Sequence, residues 1–359
     1  MSGPRGPIAP ADWPVLVTGA SGFVGGHVAR ELARAGHPVR GLTRGVPPVE
    51  AGDPPIAWVV GDLREAVDRR RALAGVRGVV HSASWVSLGS DPGGLAAAVN
   101  VDATRGLLAD AVAAGVERLV YTSTLHTLAA GPAEAPADEE TPWNLGRVDS
   151  PYARTKRAAE ALILDGRGGK LRGVALCPGM VIGPRDPKPT STSLLLVMAR
   201  SAVAFVPGGG IPVVDAGVVA LAHRRALEVG EPGRRYALVG PYRRFADLAR
   251  EVGRVVGRPW RVVAIPDGLE WPMARLAGAL DRLGGGRWIE VSAAAIAGSF
   301  LELHVRGDRA DVAFGLTHPP PLASIYEALE DARRSGLAPW LKVRRPAEWA
   351  RARPAGATS

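Results

Sequence analysis

The sequence contains one cysteine, Cys177, and no glutamine, and only four of its 44 basic residues are lysines. A single cysteine excludes both an intrachain disulfide framework and a thiolate metal cluster. The seven histidines lie too far apart along the chain to form a metal-ligand motif, so we predict no metal site. We expect a protein of a reducing compartment, the cytoplasm.

Long hydrophobic runs are also missing. The most apolar stretch, residues 194–206, is interrupted by Arg200 and is too short to span a bilayer. The first 14 residues are rich in glycine and proline and lack the apolar centre of a signal peptide, so we expect them to form a flexible tail. No transmembrane segment is predicted.

The charge balance points at first to a polyanionic partner. The 359 residues carry a formal charge of +9, and the pI is about 10.3. However, the 40 arginines are spread along the whole chain, mostly singly or in pairs beside aspartate or glutamate, and form no basic stripe. We therefore predict a small-molecule substrate and no nucleic-acid partner.

The first half of the chain alternates short buried-strand patterns with amphipathic helical patterns. This alternation predicts an α/β fold of the Rossmann type, a doubly wound parallel sheet with helices on both faces. The predicted strands are residues 15–18, 39–43, 56–60, 76–81, 118–122 and 173–177, and the predicted helices are residues 23–35, 64–74, 93–114 and 150–165.

The alternation weakens after residue 186, which predicts a second, smaller unit. We assign residues 15–186 to a dinucleotide-binding domain and 187–340 mainly to an α/β substrate-binding domain. Within the latter, residues 213–240 are expected to return to the sheet. Residues 341–359 are expected to form a C-terminal tail.

Three glycines follow the first strand at intervals of three. Gly19 permits a tight turn, Gly22 lets the backbone approach a pyrophosphate, and Gly25 lets the helix pack closely on the strand. The pattern alone is weak, but its place between a buried strand and an amphipathic helix indicates a dinucleotide site.

The end of the second strand carries Arg44 where an NAD-binding protein is expected to carry a carboxylate. A guanidinium suits a 2′-phosphate, which favours NADP over NAD, although Arg44 is also one of 40 arginines. Asp62, after the third strand, is placed to meet an adenine amino group or, equally, to cap the following helix.

Tyr152 and Lys156 lie four residues apart on one face of a helix that Ser150 and Pro151 begin. An ammonium near a phenol favours phenolate and lowers the phenol pKa from about 10, which predicts a general acid or base. The hydroxyl run Tyr121–Thr124 ends a strand upstream and could donate to the same substrate oxygen.

At these motifs the chain resembles the extended short-chain dehydrogenase/reductases, the epimerase/dehydratase-like branch, over about residues 15–335. The resemblance rests on motifs in a fixed order: TGASGFVG (18–25), GDLR (61–64), VVHSAS (79–84), AVNVDATRGLL (98–108), VYTST (120–124), SPYARTK (150–156) and LCPGMVIGPRD (176–186).

The resemblance implies a role for each matching residue. Tyr152 would transfer the proton, Lys156 would bind the ribose hydroxyls, and Thr124 would orient the substrate oxygen. The remaining implied contacts are with the cofactor. Phe23 and Val24 would lie over the pyrophosphate, and Asp62 and Leu63 would lie beside the adenine. Ser82, Ala83 and Ser84 would line the nicotinamide ribose with Asn100 behind them, and Pro178 would contact the carboxamide.

Within the branch, residues 137–143, 183–193 and the Thr-x-Arg strand end look most like dihydroflavonol-reductase-like proteins, including the hopanoid-associated sugar epimerase group. Two departures stand out: Cys177 replaces the usual arginine, and residues 214–220 lack the usual paired aspartates. Leu125-His126 replaces the Asp-Glu of nucleotide-sugar 4,6-dehydratases, which argues against that dehydration.

The resemblance implies an NADP(H)-dependent oxidoreductase acting on a secondary alcohol or ketone, as in dihydroflavonol reductase or 3β-hydroxysteroid dehydrogenase. A nucleotide-sugar epimerase and a non-catalytic NADP-binding regulator are the alternatives, and NAD stays open as the cofactor. The regulator is disfavoured because Tyr152 and Lys156 are both present.

The substrate is expected to be defined by residues 187–215 and by loops containing Trp85, His126 and Trp143. Their apolar character favours a hydrophobic ketone over a diphosphate sugar. An apolar pattern at residues 269–283 is assigned to core packing, with peripheral lipid contact and a homodimer interface left open. Its apolar positions are Trp271, Met273, Leu276, Leu280 and Leu283.

Overall fold

A computed structural model describes residues 10–86, 91, 93–148, 150–165, 171–189, 191–200, 203–258, 261–284 and 293–346. Its centre is a seven-stranded, fully parallel sheet in the order β10-β6-β5-β4-β1-β2-β3. These strands are β1 (Val15–Thr18), β2 (Val39–Thr43), β3 (Ala57–Val60), β4 (Gly78–His81), β5 (Arg118–Thr122), β6 (Arg172–Pro178) and β10 (Arg235–Leu238). The order reverses direction beside β1, so the sheet is doubly wound, and the predicted fold class is confirmed.

Helices cover both faces of this sheet. The helices of the sheet-forming part are α1 (Phe23–Arg34), α2 (Ala66–Leu73), α3 (Leu95–Ala97), α4 (Ala103–Ala113), α5 (Pro151–Leu164) and α7 (Ala216–Val229). One apolar core joins the sheet to α1 and α7 through buried residues such as Val28 and Ala222. A second core lies on the opposite face, where Leu73, Leu107 and Ile163 are buried.

The helix predicted over residues 93–114 is interrupted. Between α3 and α4 the structure has a π-helical segment, Ala98–Asp102, which is an uncommon geometry. Asn100 in this segment is 1% exposed. Its side chain turns inward and hydrogen-bonds neighbouring backbone, as described below.

The second half of the chain builds a smaller unit beside the carboxyl ends of the large sheet. Its strands are β7 (Met180–Ile182), β8 (Val203–Val206), β9 (Gly210–Asp215), β11 (Tyr242–Arg244) and β12 (Arg261–Ala264). Its helices are α6 (Ser191–Arg200), α8 (Phe245–Val256), α9 (Glu270–Gly284), α10 (Ala293–Ser299), α11 (Asp308–Phe314) and α12 (Pro321–Arg334). The strands form a three-stranded sheet, β11-β9-β7, and a two-stranded sheet, β12-β8.

The chain returns to the large sheet within this second half. Residues 216–229 form α7 on the face of the sheet, and residues 235–238 form its edge strand β10. A separate apolar core holds α6, α8 and α12 together. Leu341, in the predicted C-terminal tail, is buried in this core, and Arg344 N–H donates to Val255 O at 2.7 Å.

Helix α9 carries the apolar pattern of residues 269–283, and the assignment to core packing is wrong for two of its residues. Trp271 is 66% exposed and Leu276 is 62% exposed. Leu280 and Leu283 lie outside the residues whose side chains are described. Among the described residues, no helix combines the length and the apolar character needed to cross a membrane.

Arg185 connects the sheet-forming half of the chain to the second half, close to the turn that follows β1. It is the only described non-glycine residue in the left-handed region, with φ of 61°. Its guanidinium contacts Asp53 at 2.6 Å and Glu50 at 2.5 Å, and its backbone N–H donates to Asp331 at 2.7 Å. Arg185 and Arg30 together lower the pKa of Asp53 to about 2, against the effect of burial.

Candidate active site

The turn after β1 is packed so closely that two of its positions accept only glycine. Gly19 has φ of +70°, and a Cβ there would lie 2.7 Å from Ala83 N. A Cβ on Gly25 would overlap the carbonyl oxygen of Gly19, so α1 packs against the turn at a distance that only glycine permits. Gly22 precedes α1, whose first N–H groups are free to meet an anion. This geometry fits a dinucleotide pyrophosphate.

A cleft of about 680 Å³ opens at the carboxyl ends of the parallel strands, where ligands bind in open α/β sheets. It is lined by most of the predicted cofactor residues: Gly19, Gly22, Phe23, Val24, Gly25, Arg44, Asp62, Leu63, Ser82, Ala83, Ser84, Tyr152, Lys156 and Pro178. Residues from the second half, including Met180, Lys188 and Ile211, close its other side.

Asp62 does not cap a helix. Helix α2 begins at Ala66, and Asp62 instead accepts hydrogen bonds from Arg64, from its backbone N–H at 2.9 Å and its guanidinium at 2.7 Å. Arg64, and more weakly Arg44, lower the pKa of Asp62. Two guanidinium groups therefore lie near one carboxylate where the β2 and β3 strands end.

Asn100 supports the strand end beside the cleft rather than lining it. Its Oδ1 accepts from Trp85 N–H at 2.7 Å and from the Ser84 hydroxyl at 3.0 Å. Its Nδ2 donates to Trp85 O and to the Thr155 hydroxyl, both at 3.0 Å. One buried amide thus fixes residues 84–85 relative to α5, the helix that carries Tyr152.

Thr124 and Tyr152 meet at the cleft. Ser150 accepts from Ala153 N–H at 3.1 Å and begins α5, which places Tyr152 in its first turn. Burial raises the pKa of Tyr152, and a hydrogen bond with the Thr124 side chain acts in the opposite direction. Tyr152 is therefore protonated at neutral pH and suited to donate a proton.

Lys156 is buried one turn further along α5. Its ammonium donates to Thr122 O at 2.5 Å and lies 4.1 Å from the centroid of the Tyr121 ring. Burial lowers the pKa of Lys156 to about 7, and the Glu160 carboxylate acts in the opposite direction. The predicted lowering of the Tyr152 pKa by Lys156 is not found, since the ammonium is engaged by β5 and burial governs the phenol.

A buried carboxylate behind the cleft was missed by the sequence analysis. Glu160 is 5% exposed and accepts hydrogen bonds from Ser123 and, at 2.7 Å, from Thr127. The Cys177 thiol lies 3.5 Å away, and the Arg235 guanidinium is 3.5 Å from the other carboxylate oxygen. The guanidinium beside Glu160 thus comes from β10, whereas β6 carries Cys177 at the position where the branch usually has arginine.

Replacing Glu160 with alanine should destabilise the fold by about 2–4 kcal/mol, because Ser123 and Thr127 would lose a buried carboxylate acceptor and Arg235 its nearby counter-charge. Urea denaturation followed by circular dichroism measures this change in the free energy of unfolding. The matched control is Glu117→Ala, which breaks an ion pair with Arg77 whose glutamate is 36% exposed. That change should cost less than about 1 kcal/mol. Equal losses for both variants would contradict a structural role for Glu160.

The three predicted substrate residues have different positions. Trp85 and His126 line the cleft. Trp143 is not among the described residues that line the cleft, and its predicted contact with the substrate stays a prediction. Its indole N–H instead donates to His126 O at 3.0 Å, and Arg157 stacks 3.8 Å from its ring. Trp143 therefore fixes the backbone of His126 through this hydrogen bond.

The model of the NAD-dependent epimerase/dehydratase family matches residues 15–226. The chain belongs to this family. The matched region contains the glycine turn, the Thr124–Tyr152 pair and Lys156, and the predicted family is confirmed. Its known members are oxidoreductases, epimerases and dehydratases of the extended short-chain dehydrogenase/reductase type.

Two relatives with named activities and one solved structure extend the comparison. The chain is 31% identical over 338 residues to a putative dihydroflavonol 4-reductase of Synechocystis sp., covering 90% of this chain and 94% of the relative. It is 31% identical over 290 residues to the 2-alkyl-3-oxoalkanoate reductase of Stenotrophomonas maltophilia, covering 74% and 85%. The crystal structure of gox2253 superposes with a TM-score of 0.76 and 30% identity, covering 90% of this chain and 99% of that structure.

Proposed function

We propose that this protein is an NADP(H)-dependent oxidoreductase that interconverts a ketone and a secondary alcohol on a hydrophobic substrate. The observation that carries the proposal is that Thr124 and Tyr152 line the same cleft as the glycine turn. In this family the cofactor, when bound, supplies or accepts a hydride. The two hydroxyl groups are then placed to hold the substrate oxygen.

The other roles in the reaction are assigned to residues of this chain. Tyr152 donates its proton to the substrate oxygen as the ketone is reduced and takes it back in the reverse direction. Thr124 donates a second hydrogen bond and orients that oxygen. Lys156, whose Nζ donates to Thr122 O, would contact the ribose hydroxyls with the rest of its amino group. The cleft would position both reactants, which supplies much of the rate enhancement.

The hydrophobic substrate class rests on the far side of the cleft. Val86, Val99, Leu125, Met180 and Ile211 contribute apolar side chains to the cleft, and Asp186 and Lys188 are the charged residues that the second half adds to its lining. The names of the two relatives, both reductases of organic ketones, support net reduction over sugar epimerisation. Oxidation of NADPH with a panel of ketones, with the alcohol product identified by mass spectrometry, tests the proposal. Absence of turnover across aliphatic, aromatic and steroidal ketones would contradict it.

We propose that Arg44 selects NADP(H). It is exposed at the end of β2, lines the cleft and lies close enough to influence the Asp62 carboxylate. Arg44→Ala should raise the Kd for NADPH by about 10- to 100-fold, the expected loss for a charge-assisted contact, and leave that for NADH within about threefold. Fluorescence titration with both cofactors measures this.

The matched control is Arg250→Ala on α8, an exposed arginine paired with Asp247 outside the described lining of the cleft. It should leave both dissociation constants unchanged. If wild-type protein binds NADH as tightly as NADPH, or if Arg44→Ala weakens both equally, Arg44 does not select the 2′-phosphate.

A further inference from the structure

His126 lies beside the reacting pair and is joined to it by a hydrogen bond. Its Nδ1 is 3.3 Å from the Thr124 hydroxyl oxygen, and that hydroxyl also hydrogen-bonds Tyr152. The ring lines the cleft. Its backbone is fixed by the indole N–H of Trp143, which donates to His126 O at 3.0 Å. The imidazole is therefore held in place at the edge of the substrate space.

The direction of the hydrogen bonds determines which ring nitrogen carries the proton. A threonine hydroxyl has one proton and two lone pairs. In the proposed reaction Thr124 donates that proton to the substrate oxygen, so only its lone pairs face His126. Nδ1 must then carry a hydrogen and donate it to Thr124. In a neutral imidazole the other nitrogen, Nε2, is consequently an acceptor.

The Nε2 atom of His126 is available to hydrogen-bond a ligand in the cleft. Within the described residues no protein group hydrogen-bonds Nε2, whereas Nδ1 is committed to Thr124. Burial lowers the pKa of His126, so the ring keeps its lone pair at neutral pH. A half-buried acceptor that no described protein group satisfies favours a ligand that brings a donor.

We infer that His126 is a specificity residue whose Nε2 accepts a hydrogen bond from a hydroxyl group next to the reacting carbon. The inference rests on the proposed function and narrows its substrate class to hydroxy-ketones and the corresponding diols. A substrate without the hydroxyl leaves Nε2 unpaired in the closed cleft. Sites built to bind a polar group reject analogues that lack it much more strongly than apolar pockets reject a missing methylene.

The test uses propiophenone together with its 2-hydroxy and 2-methoxy derivatives. The two derivatives are similar in size and electronic effect, but only the hydroxy compound carries a donor. Wild-type protein should show kcat/KM for the hydroxy compound about 10- to 100-fold above that for the methoxy compound. His126→Phe should bring this ratio within about threefold of one, and His126→Gln, which retains an acceptor, should restore part of it. Because the readout is a ratio, a general loss through Thr124 cancels.

Several outcomes would overturn the inference. If the kcat/KM ratio of the hydroxy to the methoxy compound is near one in wild-type protein, or is unchanged in His126→Phe, His126 is not a specificity residue. The proposed function is unaffected by that result as long as ketone reduction depends on Tyr152. If none of the three compounds is reduced while another ketone of the panel is, the inference fails and the proposed function stands. If no ketone of the panel is reduced, or if reduction is unchanged in Tyr152→Phe, the proposed function fails and the inference fails with it. Should His126→Phe not fold, as judged by its melting curve, His126→Ala provides the same comparison.

Discussion

Tyr152→Phe should lower kcat for ketone reduction by about 10²–10⁴-fold, the usual contribution of a positioned general acid. The variant loses the proton that the phenol supplies to the substrate oxygen, while Thr124 still holds that oxygen. Burial raises the pKa of Tyr152, so the wild-type phenol is protonated across the neutral range and available as the donor. Steady-state kinetics with NADPH and any ketone found to turn over measures the loss.

The matched control is Tyr236→Phe. Tyr236 is 2% exposed on β10, and its hydroxyl accepts from Glu231 N–H at 3.2 Å, outside the described lining of the cleft. This change should leave kcat within about threefold. NADPH affinity should be similar in both variants, which separates catalysis from cofactor binding. If Tyr152→Phe keeps more than a tenth of wild-type kcat, another group donates the proton.

The nucleotide-binding half of the fold was predictable because its signals are local. Buried parallel strands form continuous apolar runs, and Val15–Thr18, Val39–Thr43 and Arg118–Thr122 have the predicted bounds. The second half was less predictable, since its strands pair over long sequence separations. Strand β10 joins β6 at the sheet edge, and β9 pairs both β7 and β11. No local pattern specifies those partners.

In the candidate site, too, the residues with local sequence signals were predictable and those placed by long-range contacts were not. Tyr152, Lys156 and the glycine turn follow from spacing on one helix and one turn. Glu160 was not predictable in this way, because a glutamate in a helix is usually solvated and its partners come from residues 17 to 75 positions away. One signal was available: Glu160 follows Lys156 by four residues, so it lies on the face of α5 that Tyr152 and Lys156 already define as buried.

Two buried histidines next to the active site should make the fold sensitive to mild acid. His81 Nε2 donates to the Thr104 hydroxyl at 2.8 Å, because that hydroxyl donates its own proton to Asn100 O. His223 Nδ1 donates to Val219 O at 2.7 Å. The remaining nitrogen of each ring accepts from a threonine hydroxyl on a neighbouring strand, Thr18 or Thr122. Both rings are therefore satisfied as neutral imidazoles.

Protonation of these rings is disfavoured in the folded state. Burial, with a smaller contribution from the Lys156 charge, lowers the pKa of His81 to about 3. Burial lowers the pKa of His223 to about 4, against the hydrogen bond to Val219 and with the Lys156 charge adding to the lowering. In the unfolded chain both return to about 6.5. Between pH 6.5 and 4 the unfolded state binds protons that the folded state does not, so acid favours unfolding.

We expect the free energy of unfolding to be independent of these two groups above pH 6.5. Below it, the free energy of unfolding should fall by about 1.4 kcal/mol per pH unit for each histidine. Urea denaturation at pH 5, 5.5, 6 and 7 measures the slope. Asp53 and Glu330, whose pKa values are lowered from 3.8 and 4.5 to about 2, lose their stabilising effect mainly below this range, as the pH falls from the unfolded to the folded pKa. His223→Gln removes one titrating ring and should reduce the slope by about 1.4 kcal/mol per pH unit, whereas a flat profile in wild-type protein would contradict neutral burial of both rings.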